Sequence, residues 1–265
     1  MKNLIVSHLP PDHPWRGQIQ CYHTISSTST IAVDRAKEGA PQGTVFIAEQ
    51  QTNGHGRLNR HFHSPCAEGL YMSVILRPPY HLSDISHLTC AIGVAACDAI
   101  EEATGFRPGL KWINDLVANG KKLGGILVDT SINPANWVVQ YAVVGIGINC
   151  NQADGAFPDD LKDIACSLSA VTGRSIDRAK LASALMCHFE KMAGYLPNRS
   201  AIMDRYRHDC VTIGKEVTVI QGDTHSRGKA LSVEDDGNLL VEFADGRTAA
   251  VNSGDVSVRG LFGYT

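Results

Sequence analysis

Residues 111–129 read "KWINDLVANGKKLGGILVD". Asn119-Gly120 is a strong hairpin signal, because both residues accept the positive φ of a tight turn. The segment therefore predicts a hairpin, with Trp112, Asn114 and Asp115 before the turn and Lys121 and Lys122 at the entrance of the returning strand. A solvated lysine pair is the plain reading, and it suffices for Lys121. Lys122 is followed by Gly124 and Gly125, whose bare backbone can line a pocket together with the lysine side chain.

Working outward, apolar runs at 18–23, 44–50, 70–76, 124–130 and 137–149 read as strands. Helices are expected at 28–38 after a Ser/Thr cluster, at 83–105 from Ser83 to Gly105, and at 177–195, where Leu181, Leu185, Phe189 and Met192 recur at helical spacing. After about residue 208 the pattern changes to short alternating strands separated by Gly and Asp turns, as in a small antiparallel barrel. The expected fold is α+β: residues 18–208 a mixed sheet packed with helices, residues 209–265 an SH3-like β-barrel, and residues 1–17 a loose arm.

The 265 residues carry a net charge of −3, with 43% hydrophobic and 19% charged residues. That composition suits a globular chain with a substantial core and offers no basic field for general nucleic-acid binding. No apolar run reaches the ~20 residues of a membrane helix, and Pro10 and Pro11 break the N-terminal apolar patch, which is not a signal peptide. The eight cysteines form no C-x-x-C pair, which suits a reducing cytoplasm in which each is a small buried hydrophobe.

Two further polar segments interrupt apolar strands. "EQQTNGHGRLNRHFHSP" (49–65) follows one strand and precedes another. Gly54 and Gly56 allow close backbone approach, free N–H groups in such a loop can cradle an anion, and Arg57 and Arg60 supply cations with planar donor forks. In "VVGIGINCN" (143–151), Gly145 and Gly147 interrupt a Val/Ile strand, as where a ligand comes close, and Asn149 ends it with an amide that donates and accepts. Alone, each segment reads equally as a loop or strand end without a ligand.

Taken in order, "SSTST", "AEQQ", "GHGRLNR", "KWINDL…KKLGGIL" and "GIGIN" resemble the catalytic domain of bacterial biotin protein ligases, the biotin–[acetyl-CoA-carboxylase] ligases. The resemblance runs from about residue 19 to the terminal barrel. His55, Asn59, Phe62, Ile113 and Ser29 depart from the family's usual Arg, Gly, Trp, Pro and Asn. The resemblance implies a class II synthetase-like catalytic domain that activates biotin with ATP and Mg²⁺ as biotinyl-5'-AMP. It further implies transfer of biotin to a lysine of a biotin carboxyl carrier protein domain of acetyl-CoA carboxylase or a related carboxylase.

In that reading Lys122 and Arg57 are catalytic. Ser27, Thr28, Ser29, Gln51, His55, Gly56, Arg57, Lys122, Gly145 and Gly147 bind biotin. Gly54, Arg57, Arg60, Phe62, Asn114, Asp115 and Asn149 bind the nucleotide, and Phe62 covers the adenine. A homodimer is compatible with the family, and membrane association is not expected. A lipoate or octanoate ligase would share the fold, but its arginine-glycine signature is absent. Residues 1–17 are too few for a helix-turn-helix, so direct DNA reading is not expected. A non-catalytic biotin-binding module would not need Lys122 with Arg57. His55, His61 and His63 lack metal-ligand spacing, and no metal site is assigned.

Overall fold

The computed structural model describes residues 1–153, 155–252 and 256–260, the last five as backbone only. Strands β1 (Ile19–Ile25), β2 (Val45–Gln51), β3 (Gly69–Leu76), β4 (Gly109–Lys111), β5 (Asp115–Ala118), β6 (Lys121–Ile132) and β7 (Val139–Asn149) form one sheet in the order β1-β2-β3-β7-β6-β5-β4. The β1–β2 pair is parallel and the other neighbours are antiparallel, so the sheet is mixed as expected. Every residue of β3 is buried, because helices cover both faces at the sheet's centre.

Helices α1 (Lys2–His8), α2 (Thr28–Lys37), α3 (Leu88–Thr104), α4 (Leu168–Thr172), α5 (Arg178–Tyr195) and α6 (Arg199–Asp209) supply those covers. On one face α3 is sandwiched between the sheet and helices α5 and α6. It is apolar around most of its circumference, as a fully packed helix must be. It ends where Gly105 takes a left-handed conformation and donates its N–H to Glu101 O at 2.7 Å. On the other face α2 lays Ala32 and Ala36 over Phe46, Ile75, Tyr141 and Val143.

Three sequence expectations change. The helix expected from Ser83 starts at Leu88, after a tight turn over Leu82–Ile85; the Ser83 carbonyl is taken by the Arg199 guanidinium instead. Trp137 has φ 58° and lies in the β6–β7 turn rather than in a strand. The N-terminal residues are not a loose arm: α1 packs on α5, and Ile5, Leu9 and Trp15 join the main core.

The C-terminal strands β8 (Glu216–Gln221), β9 (Thr224–Val233), β10 (Leu239–Phe243), β11 (Thr248–Val251) and β12 (Val256–Gly260) make the expected small antiparallel β domain, in the order β11-β10-β9-β8-β12. Residues 253–255 and 261–265 of the expected barrel lie outside the described residues. Val217, Ala230, Val233, Leu239 and Val241 belong to the same continuous core as α3 and the large sheet. The chain enters this domain along β4, where Val211 N donates to Leu110 O at 2.8 Å.

All eight cysteines are free. Burial pushes the Cys150 thiol up to about 12, which leaves it inert. Among the described residues no helix is long and apolar enough to cross a membrane.

Two histidines are packed in their neutral form. His13 Nδ1 accepts from Trp15 N at 3.2 Å, and His87 Nε2 meets Leu196 O at 3.1 Å. Burial lowers both from the ordinary value of about 6.5. A depressed folded-state value means that the unfolded chain binds more protons, so stability is complete above about pH 6.5 and falls as the pH drops below it. Each histidine should contribute a slope of at most about 1.4 kcal/mol per pH unit. Urea unfolding at pH 7.5 and 5.5 measures this, and His13→Gln/His87→Gln should flatten the difference. An equal loss in wild type and double variant would assign the acid sensitivity to other groups.

Candidate active site

A cavity of about 280 Å³ opens at the ends of the central strands. Its walls come from the start of α2, the end of β2, the loop 55–63, the β4–β5 turn, β6, β7 and the segment 157–165. It gathers Ser27, Thr28, Ser29, Gln51, His55, Gly56, Arg57, Arg60, Phe62, Asn114, Asp115, Lys122, Gly145, Gly147 and Asn149, which sequence reasoning drew from five separate segments. Gly54 is not in the lining. A Cβ there would lie 2.6 Å from Ser64 Oγ and 2.8 Å from Phe62 O, so glycine is required for the loop to close on itself.

One end of the cavity is a chain of fixed hydroxyls. Ser27 caps α2, its side chain accepting from Thr30 N. The Gln51 carbonyl oxygen accepts from Thr28 N at 2.8 Å and from Thr28 Oγ1 at 3.1 Å, and its amide donates to Ser64 Oγ at 3.1 Å. Ser73 Oγ donates to Thr28 Oγ1 at 2.9 Å and lies 3.1 Å from Ser29 Oγ. Sequence reasoning missed Ser73; the signal was a lone hydroxyl inside the apolar run "LYMSVIL". Gly145 makes room for this chain, since a Cβ there would collide with Ser29 Oγ. A Cβ at Gly147 would lie 2.5 Å from the Phe62 ring. Phe62 therefore packs on β7, its ring roughly perpendicular to that of Tyr71 with centroids 6.4 Å apart.

The other end is charged. Among the described lining residues are four lysines and arginines, Arg57, Arg60, Lys111 and Lys122, and a single carboxylate, Asp115. Lys122 Nζ lies 2.7 Å from Asp115 Oδ1. Gly125 lies beside the pair, and a Cβ there would make only ordinary contact, 3.4 Å from Lys122 Nζ. Gly124 serves packing instead: its Cβ would lie 2.5 Å from Gly147 O. Burial lowers the Arg57 guanidinium from its ordinary value; Asp115 opposes that shift and Arg60 adds to it. Lys111 opens the same motif that supplied Asn114 and Asp115, and was missed because attention went to the lysines after the turn.

The glycine-arginine loop is itself a small hairpin. His55 pairs with His61, Gly56 N donates to Arg60 O at 2.8 Å, and Phe62 N donates to Gly54 O at 2.8 Å. These amides are engaged within the loop and are not the anion donors that the glycines suggested. Leu58 and Asn59 at the tip have φ of 54° and 56°. His55 also lines an adjoining cleft that holds Asp129; burial raises that carboxyl, and His55 partly offsets the shift. Two expected ligand-orienting amides bond to protein: Asn114 Nδ2 donates to Ile126 O at 3.1 Å, and Asn149 Nδ2 to Cys166 O at 3.0 Å.

Segment 157–165 escaped the sequence reading and supplies an apolar wall of Phe157, Leu161, Ile164 and Ala165. Lys122 N donates to Ile164 O at 2.7 Å, and Cys166 N donates to Lys122 O at 2.9 Å, which ties this wall to the lysine. The spacing of Phe157, Leu161 and Ile164 was the available signal.

A hydroxyl-lined end and a cationic end thus share one cavity on this mixed sheet. The sequence pattern described as "Biotin/lipoate A/B protein ligase family" matches residues 22–149, and that of "Biotin protein ligase C terminal domain" matches residues 212–259. The bifunctional ligase/repressor BirA of Bacillus subtilis is 39% identical over 237 residues, covering 87% of this chain and 71% of its own. The biotin–[acetyl-CoA-carboxylase] ligase of Mycobacterium tuberculosis is 31% identical over 249 residues, covering 91% and 89%. The solved biotin protein ligase from Aquifex aeolicus in complex with biotin and ATP superposes with a TM-score of 0.77 at 28% identity, over 92% of this chain and 99% of that one. The chain belongs to the biotin/lipoate A/B protein ligase family and is a biotin protein ligase within it.

The hydroxyl chain generates a prediction. Ser73 is fully buried, and Ser73→Ala removes a partner from both Thr28 and Ser29. Unfolding free energy should fall by about 1–3 kcal/mol, the cost of leaving buried hydroxyls unsatisfied. Urea denaturation checks it; an unchanged value would mean that the two hydroxyls rotate to other acceptors.

Proposed function

We propose that the chain joins biotin to a carrier lysine in two steps, both in this cavity. In the first, a biotin carboxylate oxygen attacks the α-phosphorus of ATP, and pyrophosphate leaves. In the second, the lysine ε-amine attacks the carbonyl carbon of biotinyl-5'-AMP. An amide forms, AMP leaves with the bonding pair, and the amine releases its proton. Neither step requires a nucleophile from the enzyme. Both require two anions to be held together and their charge met by fixed cations.

The observation that carries this reading is the meeting in one cavity of Arg57, Arg60, Lys111 and Lys122, with Asp115 the one carboxylate among its described lining residues, beside a neutral hydroxyl chain. Lys122 bridges the biotin carboxylate and the α-phosphate, and Asp115 holds its ammonium in place until they arrive. Arg57 retains the adenylate. Ser27, Thr28, Ser29 and Gln51 bind the ureido head, with Gly145, Gly147 and His55 beside it. Gly56 shapes the loop, and Phe62, seated on Gly147, flanks biotin. Arg60, Asn114, Asp115 and Asn149 define the nucleotide end, where the patch of Phe157, Leu161 and Ile164 covers the adenine. Among the described residues no three His, Cys, Asp or Glu side chains converge on a metal site; magnesium enters on the ATP phosphates, which it prefers to a protein cage.

The acceptor is a biotin carboxyl carrier protein domain of acetyl-CoA carboxylase or a related carboxylase, a reading supported by the name of the Mycobacterium tuberculosis relative. The free cysteines support a cytoplasmic location.

Exchange of radiolabelled pyrophosphate into ATP should require both biotin and Mg²⁺. Exchange equally fast with lipoate, or none with biotin, rejects the assignment. Lys122→Ala should slow exchange by about 10²–10³-fold, as loss of one charge-stabilising donor does, with an unchanged circular dichroism spectrum. A near-normal rate would return Lys122 to the solvated hairpin. Arg57→Gly should instead let biotinyl-5'-AMP escape, so that added bystander proteins become biotinylated on a streptavidin blot. A carrier-only pattern would remove the retention role.

A further inference from the structure

Trp112 lines the cavity, yet its bonds run to the C-terminal β domain. Its indole Nε1–H donates to Gly237 O at 2.9 Å, and its backbone N–H donates to Thr212 Oγ1 at 2.9 Å, both in buried surroundings. The next carbonyl, of Ile113, accepts from Tyr206 OH at 3.3 Å. Three consecutive tethers therefore hold residues 112–113 to the last quarter of the chain. Residues 114–115 are tied on the opposite side: Asn114 exchanges two hydrogen bonds with Ile126, and Asp115 pairs with Lys122.

The Gly237 carbonyl is aimed by a tightly built turn. Gly237 has φ +91° and donates to Glu234 O at 2.9 Å, Glu234 N donates to Asn238 O at 2.8 Å, and Asn238 donates to both Asp236 carboxylate oxygens, from its backbone N at 3.0 Å and from Nδ2 at 2.7 Å. The turn packs against His87, Cys90 and Ile113. The bonds of the hydroxyl chain at Thr28, Gln51 and Ser73 run among residues 28, 29, 51, 64 and 73 and reach none of these groups.

We propose that the Glu234–Asn238 turn is a positioning element for the nucleotide end of the active site, acting through Trp112. Loosening the turn shifts Asn114 and Asp115, and with them the partner of Lys122, while the biotin end stays in place. The inference rests on the reading above that the nucleotide occupies the Asn114–Asp115 end.

The test is pyrophosphate exchange with the full chain, with biotin affinity measured separately by calorimetry. Asp236→Ala acts outside the cavity, and Trp112→Phe keeps the ring but removes the donor. Each should raise the KM for ATP about five- to tenfold, the scale of one buried hydrogen bond, and leave the biotin Kd within about twofold. The double variant should match the larger single effect, because both break one link. Asn238→Ala, which removes the Nδ2 bond to Asp236 within the same turn, replaces Asp236→Ala if that variant does not fold. A normal KM for ATP in the remote variant, parallel changes in ATP and biotin constants, or additive effects in the double variant would each overturn the proposal. Wild type without biotin-dependent exchange would instead reject the ligase mechanism, so the two failures are separable.

Discussion

The ion pair between Lys122 and Asp115 is the point on which the site depends. Around it lie three more cations and no second carboxylate among the described lining residues. Like charges gathered in a partly desolvated pocket repel, and the direction of the Arg57 shift reports that cost, with burial first and Arg60 adding to it. A bound anion would add an attraction to each of these cations and so offset part of that repulsion. Lys122 is held there by its backbone, which exchanges two hydrogen bonds with Ile164 and Cys166.

Backbone proximity carries the same logic into the sheet. Gly124 lies against the Gly147 carbonyl, Gly145 against Ser29 and Gly147 against Phe62. These glycines looked from sequence like places of ligand approach. The structure shows that protein atoms fill much of that space, so the wall is built by close packing and the ligand meets the finished surface. The stability lost by placing glycine in a central strand is offset by the long β6–β7 and β3–β7 ladders, which run through these positions.

What was legible in the sequence was whatever broke a periodic pattern. The mixed sheet, the main helices and the change to short strands after residue 208 all follow from periodicity and turn residues. The site segments stood out as polar interruptions, and their resemblance to one family joined them. The missed parts fail for identifiable reasons. Helix α6 buries only Ile202, Met203, Tyr206 and Asp209 in a charged sequence, so its apolar stripe is too thin to detect. Residues 1–17 read as a loose arm because no periodic pattern shows where Ile5 and Trp15 join the core. Ser73 was hidden by its neighbours, and the 157–165 wall shows only a short apolar spacing in the sequence, while its place beside Lys122 is set by tertiary hydrogen bonds.

The two ends of the cavity are held in different ways, and the difference bears on how one pocket can both recognise and release. The hydroxyl end is neutral, buried and cross-linked, each group donating to or accepting from another, so it is rigid before any ligand arrives. The cationic loop is a hairpin whose tip places Leu58 in a left-handed conformation that a leucine adopts only at a cost, and Leu58 stays exposed there. Strain of that kind persists only where the surroundings hold it, here through the Gly56–Arg60 and Gly54–Phe62 hydrogen bonds across the loop. A rigid end suits selection of one neutral head group, whose misfit would leave fixed hydroxyls unpaired. A strained, charge-rich loop suits an anion that must be enclosed against water while it is an acyl-phosphate and given up once the amide has formed. One cavity thus joins a cross-linked neutral end to a cation-rich one, and the Lys122–Asp115 pair lies at the charged end.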